Sequence, residues 1–351
     1  MQEGKKIVVP IGYMGSGSSA VTNLLAEYDG INVKFSEYEF CFIHAPNGLL
    51  DLEDRLFCNN NFVRSDEAIK TFREEMTFFY KPQFYWAGNY KKIFGPHFME
   101  LTEDFISRIK QADFEGYWYY HERPRFCSNL LKGITKVLRK LSGRRFPLYT
   151  IRNYQGMEWS MIDRDSFYAA ARDYLSAVLG LLSRDRVTVW DQLLLPHNLY
   201  RVGPYFSDRL CPIVVERDPR DVFVLNKYVW KRMNNPVPYP MDAEQFCAIY
   251  KHGREAEQPA AMPVLRLWFE DLILHYDESV KRIEAFLELE AEKHTAAGRY
   301  LDPSKSIKNI GVFRQFPEAA AEVAVIEREL SAYLYPDMPQ REAVKSVREF
   351  F

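Results

Sequence analysis

The stretch IGYMGSGSSAVTNLL, Ile11 to Leu25, spaces its glycines like a phosphate-gripping loop: Gly12, four residues, then Gly17. The pattern G-x-x-x-x-G-K-[ST] would continue with lysine, but here Ser18 and Ser19 follow. Gly15, Ser16, Gly17, Ser18 and Ser19 are all small, so the backbone can approach an anion closely and turn successive N–H groups toward it. Without the lysine that holds the β- and γ-phosphates, nucleotide kinases and triphosphate hydrolases are disfavoured.

Three further segments carry polar residues where an α/β chain would gather them. In CPIVVERDPRDVFVLNKYVWKRM an apolar strand ends at Glu216-Arg217 and a helix opens at Asp218-Pro219. Asp218 suits the N-cap, Pro219 the first helical position, and Asp221 the acid of a capping box. Arg217, at the carboxyl end of the strand, has the fork geometry for a phosphate. In LRLWFEDLILHYDESVKRIEAFLEL a strand runs into Glu270-Asp271, read as carboxylates tying down a loop, and Val280, Ile283, Phe286 and Leu287 share the inner face of the next helix. In DPSKSIKNIGVFRQFPE, Lys305, Ser306, Lys308, Asn309 and Arg314 crowd one loop.

In this order the four segments resemble the sulfotransferase family that uses 3′-phosphoadenosine 5′-phosphosulfate (PAPS). The resemblance covers roughly residues 5–40 and 185–335. It implies a P-loop-like α/β fold in which GSGSS holds the 5′-phosphosulfate, the RDPRDV segment with Arg217 holds the 3′-phosphate, and the loop at 305–309 closes over the nucleotide. No metal is implied. Two positions depart from the family pattern. The family's loop reads [KR]-S-G-[ST]-[ST], and its basic position is Gly15 here. Eight residues after Arg217, where a serine often shares the 3′-phosphate, stands Leu225, with Asn226 beside it. A cation lent by Lys91, Lys92 or Arg314 is one way to fill the gap at Gly15.

Sulfuryl transfer to a hydroxyl needs a base for the hydroxyl proton. In carbohydrate-modifying members the base resembles a glutamate after the second strand, and NVKFSEYEF offers Glu37, the first choice, and Glu39. Other members use a histidine after the third strand, where RVTVWDQLLLPHNLYRV offers His197, with Asp191 at the strand end. Asp191 also resembles the acid that holds magnesium in P-loop hydrolases. The expected activity is sulfuryl transfer from PAPS to a hydroxyl of a carbohydrate or glycoconjugate. The alternatives are a P-loop kinase-like phosphotransferase and a non-catalytic nucleotide- or glycan-binding protein of the same fold.

These residues need a parallel sheet to position them. KIVVPI, INVKF, RVTVW, CPIVVE and PVLRLWF are short β-branched runs separated by helical patterns, which predicts a parallel sheet covered on both faces. Ligands then bind beyond the carboxyl ends of the strands. Val21, Leu24, Leu25 and Tyr28 lie on one helical face after the glycine loop. The rhythm breaks between 41 and 151, where aromatic-rich stretches predict a large, mostly helical insertion capping a single α/β domain that spans 1–351. Inside it, NLLKGITKVLRKLSGRR is a basic helical run, read either as a solvated face or as a wall for an anionic saccharide or lipid headgroup.

The whole chain of 351 residues is 47% hydrophobic with a net charge of −2. That composition supplies a packed core and argues against a nucleic-acid protein with a broad basic face. Five dispersed cysteines without C-x-x-C spacing read as reduced thiols, and no apolar run reaches the length of a membrane span. The expected setting is cytoplasmic.

Overall fold

The computed structural model describes residues 5–33, 38–82, 87–118, 126–145, 155–182, 185–235 and 237–339. All five expected strands join one parallel sheet. In chain order these are β1 (Lys6–Gly12), β2 (Ile31–Asn32), β5 (Val187–Val189), β6 (Arg209–Glu216) and β7 (Leu265–Trp268). Two more strands, β3 (Ala112–Gly116) and β4 (Gln155–Trp159), form a separate antiparallel pair. The sheet order is β2-β5-β1-β6-β7. The chain fills one side of β1, then crosses to the other, so β1 sits at the switch point where α/β sheets open a crevice.

Side chains alternate across these strands and set the two faces. Ile7, Val9 and Ile11 of β1 join Leu210 and Val214 of β6 in one core. Val8 joins Cys211, Ile213 and Val215 in the other. The first face is covered by α2 (Leu49–Phe57), α3 (Phe62–Tyr80), α4 (Tyr90–Phe94), α5 (His97–Ile109) and α7 (Arg164–Gly180), whose Leu52, Phe72, Phe98, Phe105 and Phe167 are all buried. The second carries α1 (Ser19–Leu25), α10 (Phe269–Leu274) and α11 (Tyr276–Leu287). A third cluster gathers α8 (Pro219–Val224), α9 (Ala243–Glu255) and α13 (Ala320–Glu329). The remaining helices are α6 (Phe126–Leu141) and the short α12 (Pro303–Ser306).

The segment expected as an insertion is therefore mainly the helical layer over one sheet face, and it shares that face's core. It also holds β3, whose ADFEG sequence is short and lies largely exposed. Among the described residues, no helix is long and apolar enough to cross a membrane.

Candidate active site

β1 ends at Gly12 with its neighbours packed tightly. A Cβ on Gly12 would stand 1.9 Å from Ser16 Oγ and 2.7 Å from the Val215 carbonyl oxygen, so only glycine fits. The loop then folds back, with the Ser16 N–H donating to the Tyr13 carbonyl at 2.7 Å. Gly15 and Gly17 take φ values of +86° and +84°, the region that glycine enters without a steric cost. Tyr13 anchors the outer edge of the loop: its hydroxyl bonds Glu257 and Arg266, and the Arg254 guanidinium lies 4.2 Å from its ring centre. Among the described residues, the N–H groups of Gly15, Gly17 and Ser18 have no acceptor.

These amides border a cleft of about 370 Å³ at the carboxyl edge of the sheet. Gly15, Gly17, Ser18 and Ser19 line it beside Asn23. Glu39, Asp191 and Gln192 line the side beyond β5, and Arg217, Leu225, Trp230 and Phe269 the side beyond β6 and β7. Tyr300, Leu301, Ser306 and Asn309 complete it.

Arg217 follows β6 directly and is only 5% exposed. Its guanidinium donates to the Gly15 carbonyl at 3.4 Å and to the Asn309 carbonyl at 2.5 Å, and lies 4.6 Å from the Phe269 ring centre. One side chain thus ties the glycine loop to the late loop, while its Nε has no partner among the described residues. Burial pushes its pKa down, opposed by the nearby carboxylates of Asp221, Glu270 and Asp218. The same burial raises Glu270 to about 8 and Asp221 to about 6, against the pull of Arg217.

Those acids also place the loops. Asp218 is the N-cap of α8, accepting from the Arg220 N–H at 2.9 Å, as its position predicts. Glu270 accepts the Asp218 N–H at 3.0 Å, which bears out its reading as a loop tie. Asp221 differs from its expected role in a capping box. Its carboxylate accepts the N–H groups of Gly311 and Phe313, at 2.8 and 3.0 Å, and so holds the loop that carries Asn309.

Asp191, directly after β5, lies on the other side of β1. It is 7% exposed, accepts from Thr22 Oγ1 at 3.2 Å, and keeps Oδ1 without a partner among the described residues. Burial, reinforced by the charge of Glu39, pushes its pKa up to about 7. The Phe40 N–H donates to the Asp191 carbonyl at 3.1 Å, which sets the Glu39 segment alongside. Gln192 has φ +55° and donates from Nε2 to Ser18 Oγ at 2.9 Å, linking the carboxylate wall to the glycine loop.

The cleft gathers Gly15, Gly17, Ser18, Ser19, Arg217, Ser306, Asn309 and Asp191 from the residues singled out in the sequence. The others lie elsewhere. Glu37 is outside the described residues, and its neighbour Glu39 lines the cleft. His197 is exposed and not part of the lining. Ser16 is buried under the loop against Gly12. Asn226 is buried behind the lining and donates to the Val222 carbonyl. Lys305 is 81% exposed and paired with Asp302, and Lys308 does not line the cleft. Arg314 bonds the carbonyls of Met338 and Pro339, and Lys92 bonds Tyr38. Neither they nor Lys91 reach the gap at Gly15.

Trp230 explains that gap. A Cβ on Gly15 would stand 3.2 Å from the Trp230 indole and 3.5 Å from Asn226 Nδ2. After α8 the chain widens into a π-helical turn over Leu225–Trp230, a feature that re-aims side chains. The indole stands beside the point where any side chain at position 15 would begin.

No protein-family model matches this sequence, and no curated protein matches it. Among the solved structures similar to it at low levels are two sulfotransferase domains. One is the sulfotransferase domain from the curacin biosynthetic pathway, with 11% identity over 95% of this chain and 99% of that chain and a TM-score of 0.35. The other is the sulfotransferase domain from the Synechococcus PCC 7002 olefin synthase, with 12% identity over 95% of this chain and 90% of that chain and a TM-score of 0.30.

Proposed function

We propose that this protein is a PAPS-dependent sulfotransferase acting on a hydroxyl acceptor. The observation that carries the reading is the convergence of the glycine loop, Arg217 and the Ser306–Asn309 loop on one cleft, with two carboxylates on its far side. The donor set suits an adenine nucleotide with phosphates at both ends of its ribose. Unpaired amides at Gly15, Gly17 and Ser18 suit one anionic group, and the unsatisfied Arg217 Nε and Asn309 Oδ1 are buried polar atoms that cost stability until a ligand engages them. Trp230 offers an aromatic surface for a base. When bound, PAPS supplies the sulfuryl group.

The protein's own part is to hold, orient and deprotonate. Amides of the glycine loop stabilise negative charge without a lysine, and Arg217 adds the one guanidinium in the lining among the described residues. Asp191, raised to about 7, is poised to accept the acceptor's hydroxyl proton near neutral pH, with Glu39 beside it. A carbohydrate or glycoconjugate hydroxyl is the acceptor class that the motif resemblance implies.

Thermal denaturation with 3′,5′-adenosine bisphosphate, and with ATP plus magnesium, tests the proposal. We expect stabilisation by the bisphosphate without metal, and its loss in Arg217→Ala. A response confined to ATP with magnesium would overturn the reading in favour of a phosphotransferase. Bisphosphate binding without radiolabelled sulfate transfer to any of a panel of sugars, lipids and phenols would leave a binding protein.

A further inference from the structure

Among the described residues, α6 does not line the cleft, and it is the most one-sided of the described helices. Leu130, Ile134, Val137, Leu138 and Leu141 recur at helical spacing and are 60%, 47%, 57%, 40% and 79% exposed. At 3.6 residues per turn they form one stripe roughly 100° wide. Among the described residues, the lining of the shallow depression along the stripe comes from α6 alone, and a Cβ on Gly133 would meet nothing within 4 Å. The stripe is therefore convex and one helix wide, not a groove shaped for a partner's helix.

Its charge is as lopsided as its hydrophobicity. The twenty residues from Phe126 to Arg145 include Lys132, Lys136, Arg139, Lys140, Arg144 and Arg145 and no acid. Lys136, Lys140, Arg144 and Arg145 are exposed, and none of them pairs with a carboxylate among the described residues. A second copy seated helix to helix on this stripe would bring another such cationic set and no acid to pair with it, so charge complementarity does not favour it. A flat, negatively charged, oily surface satisfies both features: aliphatic side chains enter it while the long cationic side chains reach its headgroups.

We propose that α6 is an interfacial helix that docks this protein on an anionic lipid surface. It lies on the bilayer without crossing it, since it is too short and too charged to span. The inference stands on α6 alone and is independent of the chemistry assigned to the cleft.

Co-sedimentation of the full chain with phosphatidylcholine vesicles, with and without phosphatidylserine, tests it. The protein should pellet with the phosphatidylserine vesicles, stay in solution with the neutral ones, and be released at about 0.5 M salt. Ile134→Asp/Val137→Asp should abolish pelleting, and Lys136→Glu/Lys140→Glu should weaken it by roughly 25-fold or more. Circular dichroism and the melting temperature report whether both variants remain folded, and the bisphosphate response serves as a second check. Equal pelleting with both kinds of vesicle, none with either, or unchanged binding by both folded variants would overturn the proposal. So would a wild-type dimer that Ile134→Asp/Val137→Asp converts to monomer, or capture by soluble polyglutamate without capture by phosphatidylserine vesicles.

Discussion

Restoring a cation to the glycine loop, by Gly15→Lys, should weaken the protein and leave its anion affinity no better. Gly15 sits at φ +86°, where an L side chain costs about 1–2 kcal/mol. The new Cβ would also press on the Trp230 indole at 3.2 Å, closer than comfortable contact, for about another 1–2 kcal/mol of local overpacking. The sum, about 2–4 kcal/mol, corresponds to a melting temperature lower by about 3–6 °C for a chain of this length. The assay is thermal denaturation of Gly15→Lys, Gly15→Ala, Trp230→Ala and Gly15→Lys/Trp230→Ala, each with and without 3′,5′-adenosine bisphosphate. Measured against Trp230→Ala alone, the cost of Gly15→Lys should shrink by the packing share and keep the backbone share. Gly15→Ala should fall between wild type and the lysine variant. A lysine variant that melts at or above wild type, or that the bisphosphate stabilises more than it does wild type, would refute the argument that Trp230 has displaced the basic side chain and that Arg217 carries the charge.

Two pH profiles follow from the buried acids. Asp191 titrates near 7 when folded and near 4 when unfolded, so the folded state holds the extra proton between those values. Its ionisation therefore lowers stability as pH rises from about 4 to about 7, by an amount on the order of a few kcal/mol. Asp191→Asn should melt higher relative to wild type at pH 8 than at pH 5, and should lose sulfate transfer; a pH-independent difference would contradict the buried ionisation. Glu27 has the opposite sign. Burial pushes its pKa up, but N–H groups of Leu301 and Tyr300, both at 2.8 Å, and His294 at 2.9 Å outweigh it and leave the pKa lowered. That stabilisation is present above the unfolded value and lost as pH falls through the folded one. Glu27→Gln should cost about 1–3 kcal/mol near neutrality and much less in acid, read from urea midpoints at each pH.

β1 and β6 were legible because they are short apolar runs rich in β-branched residues and bounded by turn signals, which suits a strand buried on both faces. The start of α8 was legible for a local reason: Asp218 and Pro219 act within a residue or two of themselves. What stayed hidden depends on distant partners. Asp221 has the position of a capping acid, yet its partners lie 90 residues onward at Gly311 and Phe313. Trp230 ends a π-helical turn, so a regular helical count does not aim it at Gly15. Lys305 drew notice as a loop cation, but Asp302, three residues earlier, holds it outward. Glu39 was visible only as a neighbour of Glu37, and the Phe40–Asp191 backbone bond sets it beside the cleft.

The central place of β1 has a consequence for biosynthesis. Its partners are β5, beginning at Val187, and β6, beginning at Arg209, so Lys6 gains no sheet neighbour until about 180 further residues have been made. At ordinary ribosomal speeds that is an interval on the order of 10–40 s. Throughout it, KIVVPI is an apolar strand with both edges open, the kind of segment that pairs with the wrong chain. Non-local parallel pairing of this kind also folds slowly once synthesis is complete. Production at low temperature or with chaperones that shield the amino-terminal strand should therefore raise the soluble yield more than stabilising any surface helix.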